Sequence, residues 1–336
     1  MKDTFRLSFS RRLRRGLAVL SVILPVTLLL GGCASAIDWL RLKAYRPTPA
    51  TETMLQRIPA SAQTFRLALA DGEHLGMVYW PADQAGAPTL LFLHGTFRNL
   101  AQLVPKMSAL HEAGYTLLAV DYRGWGESSA RVPSEASIVA DGRSALALLD
   151  RIEPDPKCRI LYGHSMGTGV AMHLASTAHF PGDYAGLILE SAFSSFPDVA
   201  RQAGEVAGWL AARLPDQFRS IDRAPAIDAP VLMMHGGQDT TVSPASGRRL
   251  FDALSHAPVR RWWLSPQASH SNVASLDAAG YQNELRQWRQ QVQAEGAVCA
   301  PGRVRAQAVA AFEAELAAAR TASAPTALLP AIQTPR

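Results

Sequence analysis

Five consecutive residues constrain this chain more than any other feature: Gly163-His164-Ser165-Met166-Gly167. Before them, 159–163 is a short apolar run of the kind that forms a buried strand. After them, 166–177 carries helical spacing. G-x-S-x-G between a strand and a helix describes a sharp, strained turn that lifts a serine hydroxyl clear of a sheet. Glycine on either side allows the close packing such a turn needs. The Met166 N–H, first in the helix, then points at the oxyanion formed when Ser165 attacks a carbonyl.

A turn of that kind needs a parallel sheet around it, and the chain supplies the pattern. Segments 64–70 and 74–80 flank Asp71-Gly72, a hairpin signal. Strand-like runs follow at 89–94, 115–121, 187–190, 231–235 and 259–264. Helical spacing covers 99–113, 134–150 and 277–293, and Ser243-Pro244 opens a further helix. The expected class is α/β, with a mostly parallel central sheet, helices on both faces and an antiparallel N-terminal hairpin at one edge. At 336 residues the chain is ample for one such domain, placed at 61–295. Residues 193–228, with Pro197, Pro215 and Pro225, interrupt the rhythm and read as a small cap over the site. In the C-terminal tail, 296–336, a candidate amphipathic helix at 304–319 precedes a segment rich in Ala, Pro and Thr that reads as disordered.

The formal charge of +5 invites a nucleic-acid reading, but its location argues against one. Lys2, Arg6, Arg11, Arg12, Arg14 and Arg15 against Asp3 account for all of it. The remainder is formally neutral, so no nucleic-acid partner is expected. Those arginines precede an uncharged, mostly apolar run at 16–30, interrupted by Pro25. It is too short for a spanning helix and suited to a signal peptide. Leu30-Gly31-Gly32-Cys33 resembles a bacterial lipobox, in which the cysteine receives diacylglycerol. Residues 1–32 are therefore expected to be a lipoprotein signal peptide and 33–60 a proline-marked tether. The membrane is a partner through lipidated Cys33. Ala34 favours the outer membrane, facing the periplasm. Cys158 and Cys299 remain. Cys158 opens a strand and reads as a small core hydrophobe, and no bridge between the two is expected.

A serine hydroxyl is a weak nucleophile and needs a base, itself oriented by an acid. Asp239 closes His235-Gly236-Gly237-Gln238-Asp239 in the loop after a strand. His270 lies between the last strand and the last helix, from where a base reaches Ser165. His235, His256 and His164 read as structural or packing residues. Leu93-His94-Gly95-Thr96 follows the first central strand, and the Thr96 N–H is the expected second oxyanion donor beside Met166. No metal-ligand spacing and no phosphate loop occurs, so neither metal nor cofactor is expected.

These segments, with Asp121-Tyr122-Arg123-Gly124-Trp125-Gly126-Glu127-Ser128, Glu190-Ser191-Ala192-Phe193 and Ser269-His270, carry a resemblance across 64–293. The chain resembles the α/β-hydrolase family. It is most similar to the membrane-associated ABHD-type and BEM-type branch, which also resembles the prolyl-oligopeptidase catalytic domain. The resemblance implies the α/β-hydrolase fold and a structural turn at 121–128, with Asp121 and Arg123 holding loops. Two features depart from it. Thr96 stands where relatives often have Asn, and Ala268-Ser269 where relatives often carry Gly. The implied activity is hydrolysis of a carboxylic ester or thioester, with a small-molecule or lipid acyl substrate. A prolyl-oligopeptidase-like serine peptidase or amidase is the alternative enzyme. A non-catalytic envelope lipoprotein using the fold as a scaffold is the alternative outside enzymes.

Overall fold

The computed structural model describes residues 36–294, 299, 302–322 and 326–332. The expected signal segment and Cys33 lie outside the described residues. The chain divides at Tyr45. In the first unit, α1 (residues 36–45) is a helix where an irregular tether was expected. The first proline of the region is Pro47, so nothing upstream of it opposes helical hydrogen bonding. Within α1, Arg41 Nη1 pairs with Asp38 at 3.3 Å and Lys43 Nζ lies 5.8 Å from the Trp39 ring.

The rest of the expected tether belongs to the second unit. Thr48 O accepts from Gly126 N at 3.0 Å and Ala50 N donates to Gly126 O at 2.9 Å. Pro47 and Pro49 have no N–H to lose, which suits this extended pairing. Helix α2 (Glu52–Leu55) follows, capped by the Thr51 hydroxyl.

A nine-stranded sheet runs β8-β7-β6-β5-β3-β4-β2-β1-β9. The strands are β1 (Gln63–Ala68), β2 (His74–Trp80), β3 (Thr89–Leu93), β4 (Thr116–Val120), β5 (Arg159–His164), β6 (Gly186–Glu190), β7 (Val231–Gly236), β8 (Arg260–Ser265) and β9 (Ala327–Leu329). From β4 through β8 the pairings are parallel; β1 and β2 form the expected antiparallel hairpin, and β2 joins β4 antiparallel. Alternation along the strands sends side chains to two faces. On one face Val78, Phe92, Tyr162 and Ile188 pack with Met107 and Leu110 of α3 (Val104–Glu112) and with Leu285 and Trp288 of α11 (Ala278–Ala294). The opposite face carries α4 (Glu135–Ile152) and α5 (Met166–Ala175), which cross so closely that a Cβ on Gly142 would meet Val170 at 2.8 Å. Ser134 caps α4, and Ser243 caps α9 (Pro244–Ala253) as the sequence predicts; the short α10 (Val273–Leu276) precedes α11.

The C-terminal tail keeps its expected helix but departs from expectation beyond it. Helix α12 (Arg303–Ala322) forms, and beyond it β9 adds a parallel edge strand, pairing Phe65 with Ala327 and Leu67 with Leu329. Phe312 packs edge-on against Phe65 and Tyr79 at centroid distances of 5.8 and 5.2 Å. Arg305 Nε donates to both Glu153 carboxylate oxygens, at 2.8 and 2.7 Å, in a buried pair. Cys158 and Cys299 form a disulfide, which corrects the reading of Cys158 as a lone hydrophobe. The tail is therefore fixed to the domain by one covalent bond, one buried ion pair and one strand pairing.

Candidate active site

Ser165 stands at the turn from β5 into α5 with φ 53° and ψ −122°, a backbone conformation that a non-glycine residue holds only under strain. Its surroundings demand small neighbours. A Cβ on Gly167 would fall 1.9 Å from the Leu93 carbonyl oxygen. The turn therefore presses onto the end of β3, and only glycine fits there.

Strand ends deliver the partners. The loop after β7 carries Asp239 and the loop after β8 carries His270. His270 Nε2 lies 2.9 Å from Ser165 Oγ, and His270 Nδ1 lies 2.7 Å from Asp239 Oδ2. The three expected residues are thus brought into one hydrogen-bonded line. Asp239 Oδ1 accepts from the N–H groups of Thr241 and Val242 at 2.9 and 2.8 Å. Burial alone raises the Asp239 carboxyl, but hydrogen bonds from His235 and His270 outweigh it and hold the group well below the usual carboxylate range. Asp239 is thereby held in its charged form at neutral pH.

His235 was expected to be structural, yet it reaches this site. Its Nε2 lies 3.0 Å from Val242 O and 3.3 Å from Asp239 Oδ2. A carbonyl only accepts, so the ring carries its proton on Nε2 and shares it between the two oxygens. The i, i+4 spacing of His235 and Asp239 across the end of β7 is the sequence signal for this contact.

The expected oxyanion donors flank Ser165. Met166 is the first residue of α5, where an N–H has no intrahelical partner. Thr96 follows Gly95, and a Cβ on Gly95 would meet Ser165 Cβ at 2.9 Å, so this loop runs directly against the serine. Two buried groups hold the loop. His94 Nδ1 donates to Gly95 O at 2.6 Å, and Asp121 Oδ1 accepts from Leu100 N at 3.0 Å while lying 3.4 Å from His94 Nε2. Burial pushes Asp121 up to about 8 and His94 down to about 4. Burial disfavours the charged form of each, which biases the pair beneath the loop toward neutrality.

A second carboxylate, Glu190, ends β6, another position from which an acid can serve such a site. It is fully engaged elsewhere. Lys106 pairs with Oε1, and the hydroxyls of Tyr162 and Tyr281 donate to Oε2 at 2.6 and 3.0 Å. The carboxylate that meets His270 is Asp239.

Residues 193–228 form short helices α6 (Phe196–Ala200), α7 (Glu205–Ala211) and α8 (Ser220–Arg223). Phe196 packs between Phe193 and Phe218, and Phe218 presses on α5 at Gly169. The Glu135 carboxylate at the start of α4 accepts from the N–H groups of Gln217 and Phe218 at 2.7 and 2.9 Å. Trp209 and Leu210 stand more than half exposed.

A family model described as serine aminopeptidase, S33 matches residues 87–220, a stretch holding Ser165 but neither Asp239 nor His270. An uncharacterized protein of Mycobacterium tuberculosis is 32% identical over 247 residues, covering 72% of this chain and 83% of that protein. Alpha/beta hydrolase domain-containing protein 17C of Xenopus laevis is 30% identical over 240 residues, covering 69% of this chain and 71% of that protein. Among solved structures, an alpha-beta hydrolase from Vibrio vulnificus superposes with a TM-score of 0.63 at 20% identity, covering 75% of this chain and 92% of that one. An esterase from Pyrococcus furiosus gives 0.59 at 17%, covering 74% and 97%. At these identities the structural likeness is one of fold.

Proposed function

Because the chain belongs to the α/β-hydrolase superfamily, we propose that it is a serine hydrolase cleaving carboxylic esters or thioesters, lipid-derived acyl groups among them. The observation that carries this reading is the line from Asp239 through His270 to Ser165, with both contacts under 3 Å. In the proposed reaction Ser165 Oγ attacks the acyl carbonyl while His270 Nε2 takes its proton. Asp239 holds the imidazole with its proton on Nδ1 and stabilises the imidazolium that forms. The N–H groups of Thr96 and Met166 receive the oxyanion. His270 then protonates the leaving alcohol or thiol. Water, deprotonated by His270, releases the acid from Ser165.

The proposed place of action is the bacterial cell envelope, with the protein held by lipidated Cys33 on the outer membrane and facing the periplasm. The Cys158–Cys299 disulfide supports an oxidising compartment. Replacement Cys33→Ala is expected to abolish acyl labelling and leave unprocessed precursor; unchanged labelling contradicts the anchor.

The description of the matching family model favours a second reading, an aminopeptidase. The two separate on substrates. The purified full chain is assayed on p-nitrophenyl esters of increasing chain length and on aminoacyl p-nitroanilides. The proposal predicts turnover of esters, lost in Ser165→Ala. Turnover of anilides at comparable kcat/KM would transfer the assignment to the peptidase.

A further inference from the structure

The segment Glu190-Ser191 carries part of the family resemblance but has no part in the proton relay, and behind it lies a buried cluster of ionisable groups. Lys106 on α3 is 6% exposed, at a helix position facing the core. Its ammonium meets Glu190 Oε1, and the carboxylate's other oxygen takes the hydroxyls of Tyr162 and Tyr281. Burial pushes the Glu190 carboxyl up, but Lys106 and the other partners bring it down to about 2. A buried pair this well satisfied costs desolvation and fixes geometry more than it stabilises. What it fixes is the main chain at the end of β6.

Two bonds run from that strand end to the chemistry. Ser165 N donates to Glu190 O at 2.9 Å. Ser191 Oγ donates to His270 O at 3.0 Å, and Ser191 itself has a φ of 54°. A third bond reaches the same carbonyl: His164 Nε2 lies 3.3 Å from His270 O. The carbonyl can only accept, so His164 is the donor. Burial and the nearby Lys106 hold His164 well below its usual range, so it donates as a neutral ring.

We propose that Ser191 and His164 are positioning residues for the base. Both donate to the main-chain carbonyl of His270, from a scaffold locked by the Lys106–Glu190 pair. The imidazole is thus held at both ends, by Asp239 on the ring and by two donors on its own peptide. The nucleophile and the base hang from the same strand end, through Glu190 O and Ser191 Oγ. A shift in one is carried to the other, which keeps the distance from Nε2 to Oγ constant as substrate enters. His164 is accordingly more than a packing residue on the turn. This inference rests on the proposed catalytic role of Ser165 and His270.

The test uses the full-length chain and an ester that the wild type hydrolyses. Ser191→Ala is expected to lower kcat about tenfold with KM unchanged, and to slow fluorophosphonate labelling of Ser165 by the same factor. That is less than the ~10²-fold cost of a full 1 Å misplacement. Ser191→Gly removes the same hydroxyl while relieving the positive φ, so the same loss of kcat in a protein no less stable excludes a backbone effect. His164→Gln keeps an N–H within reach of His270 O and is expected to retain kcat within threefold. His164→Leu is expected to lose as much as Ser191→Ala. If Ser191→Ala and Ser191→Gly keep wild-type kcat, or if His164→Leu and His164→Gln behave alike, the proposal is overturned. Failure of the wild type itself to take up the probe would instead overturn the hydrolase reading.

Discussion

The Asp239 oxygen that accepts His270 Nδ1 at 2.7 Å also stands 3.3 Å from His235 Nε2, so two imidazoles converge on one buried carboxylate oxygen. Replacement His235→Leu removes one of them and strips Val242 O of its donor. A buried carbonyl left without a partner costs about 1–3 kcal/mol. The expected result is a stability loss of that size in urea unfolding. A fall in kcat toward tenfold accompanies it, as Asp239 keeps its Thr241 and Val242 bonds but loses side-chain restraint. A variant with unchanged kcat and unchanged urea midpoint would remove His235 from the site.

Backbone strain at Ser165 leads to a second prediction. Ser165→Ala and Ser165→Gly both lack the hydroxyl, and both are expected to be inactive. Only glycine accepts φ 53° and ψ −122° without cost. Ser165→Gly is therefore expected to exceed Ser165→Ala in stability by about 1–3 kcal/mol. Equal melting temperatures for the two would mean that the turn is unstrained.

Asp121 ties stability to pH. Burial raises its folded-state value to about 8, with the Leu100 N–H opposing and Glu127 adding to the rise. The unfolded chain ionises near 3.8. Between those values the folded state holds a proton that the unfolded state has released, so this contribution to stability falls as pH rises from about 4 to about 8. Asp121→Asn mimics the protonated group and lacks the slope. Thermal unfolding at pH 5 and pH 9 is expected to show the variant gaining on the wild type at the higher pH. A constant difference between the two proteins would contradict it.

The tail provides a fourth test. Cysteines 158 and 299 are 141 positions apart, and closing a long loop in the unfolded state stabilises by about 2–4 kcal/mol. Cys299→Ser, or reductant on the wild type, is expected to lower the urea midpoint. It should also speed amide hydrogen exchange in the β1–β9 pairing before it affects β5 or β6. Exchange that slows nowhere and quickens nowhere would mean that Arg305 and Phe312 hold the tail unaided.

The line is legible in the sequence because each member follows a strand. A strained strand-to-helix turn needs glycine at fixed spacing, so Ser165 announces itself. Asp239 and His270 each follow a run that reads as a strand, buried for β7 and at the sheet edge for β8. The hairpin is equally plain from Asp71-Gly72 and its flanking alternation. What is hidden depends on return contacts. β9 has three residues, too few for a period to show. The partner of Cys158 is set by where the tail comes back, which no spacing encodes. The burial of Lys106 on α3 depends on Glu190 arriving from β6, which no local pattern announces. Proline at 47 and 49 suggests an irregular tether for the whole of 33–60, yet proline acts locally, and α1 ends before it.

Reaction of the full chain with a fluorophosphonate, followed by mapping of the adduct, tests the central claim most directly, with Ser165→Ala alongside. The relay of Asp239, His270 and Ser165 predicts a single adduct on Ser165 in the wild type and none in the variant. A folded wild type that takes up no probe, or carries it on another serine, would contradict the assignment.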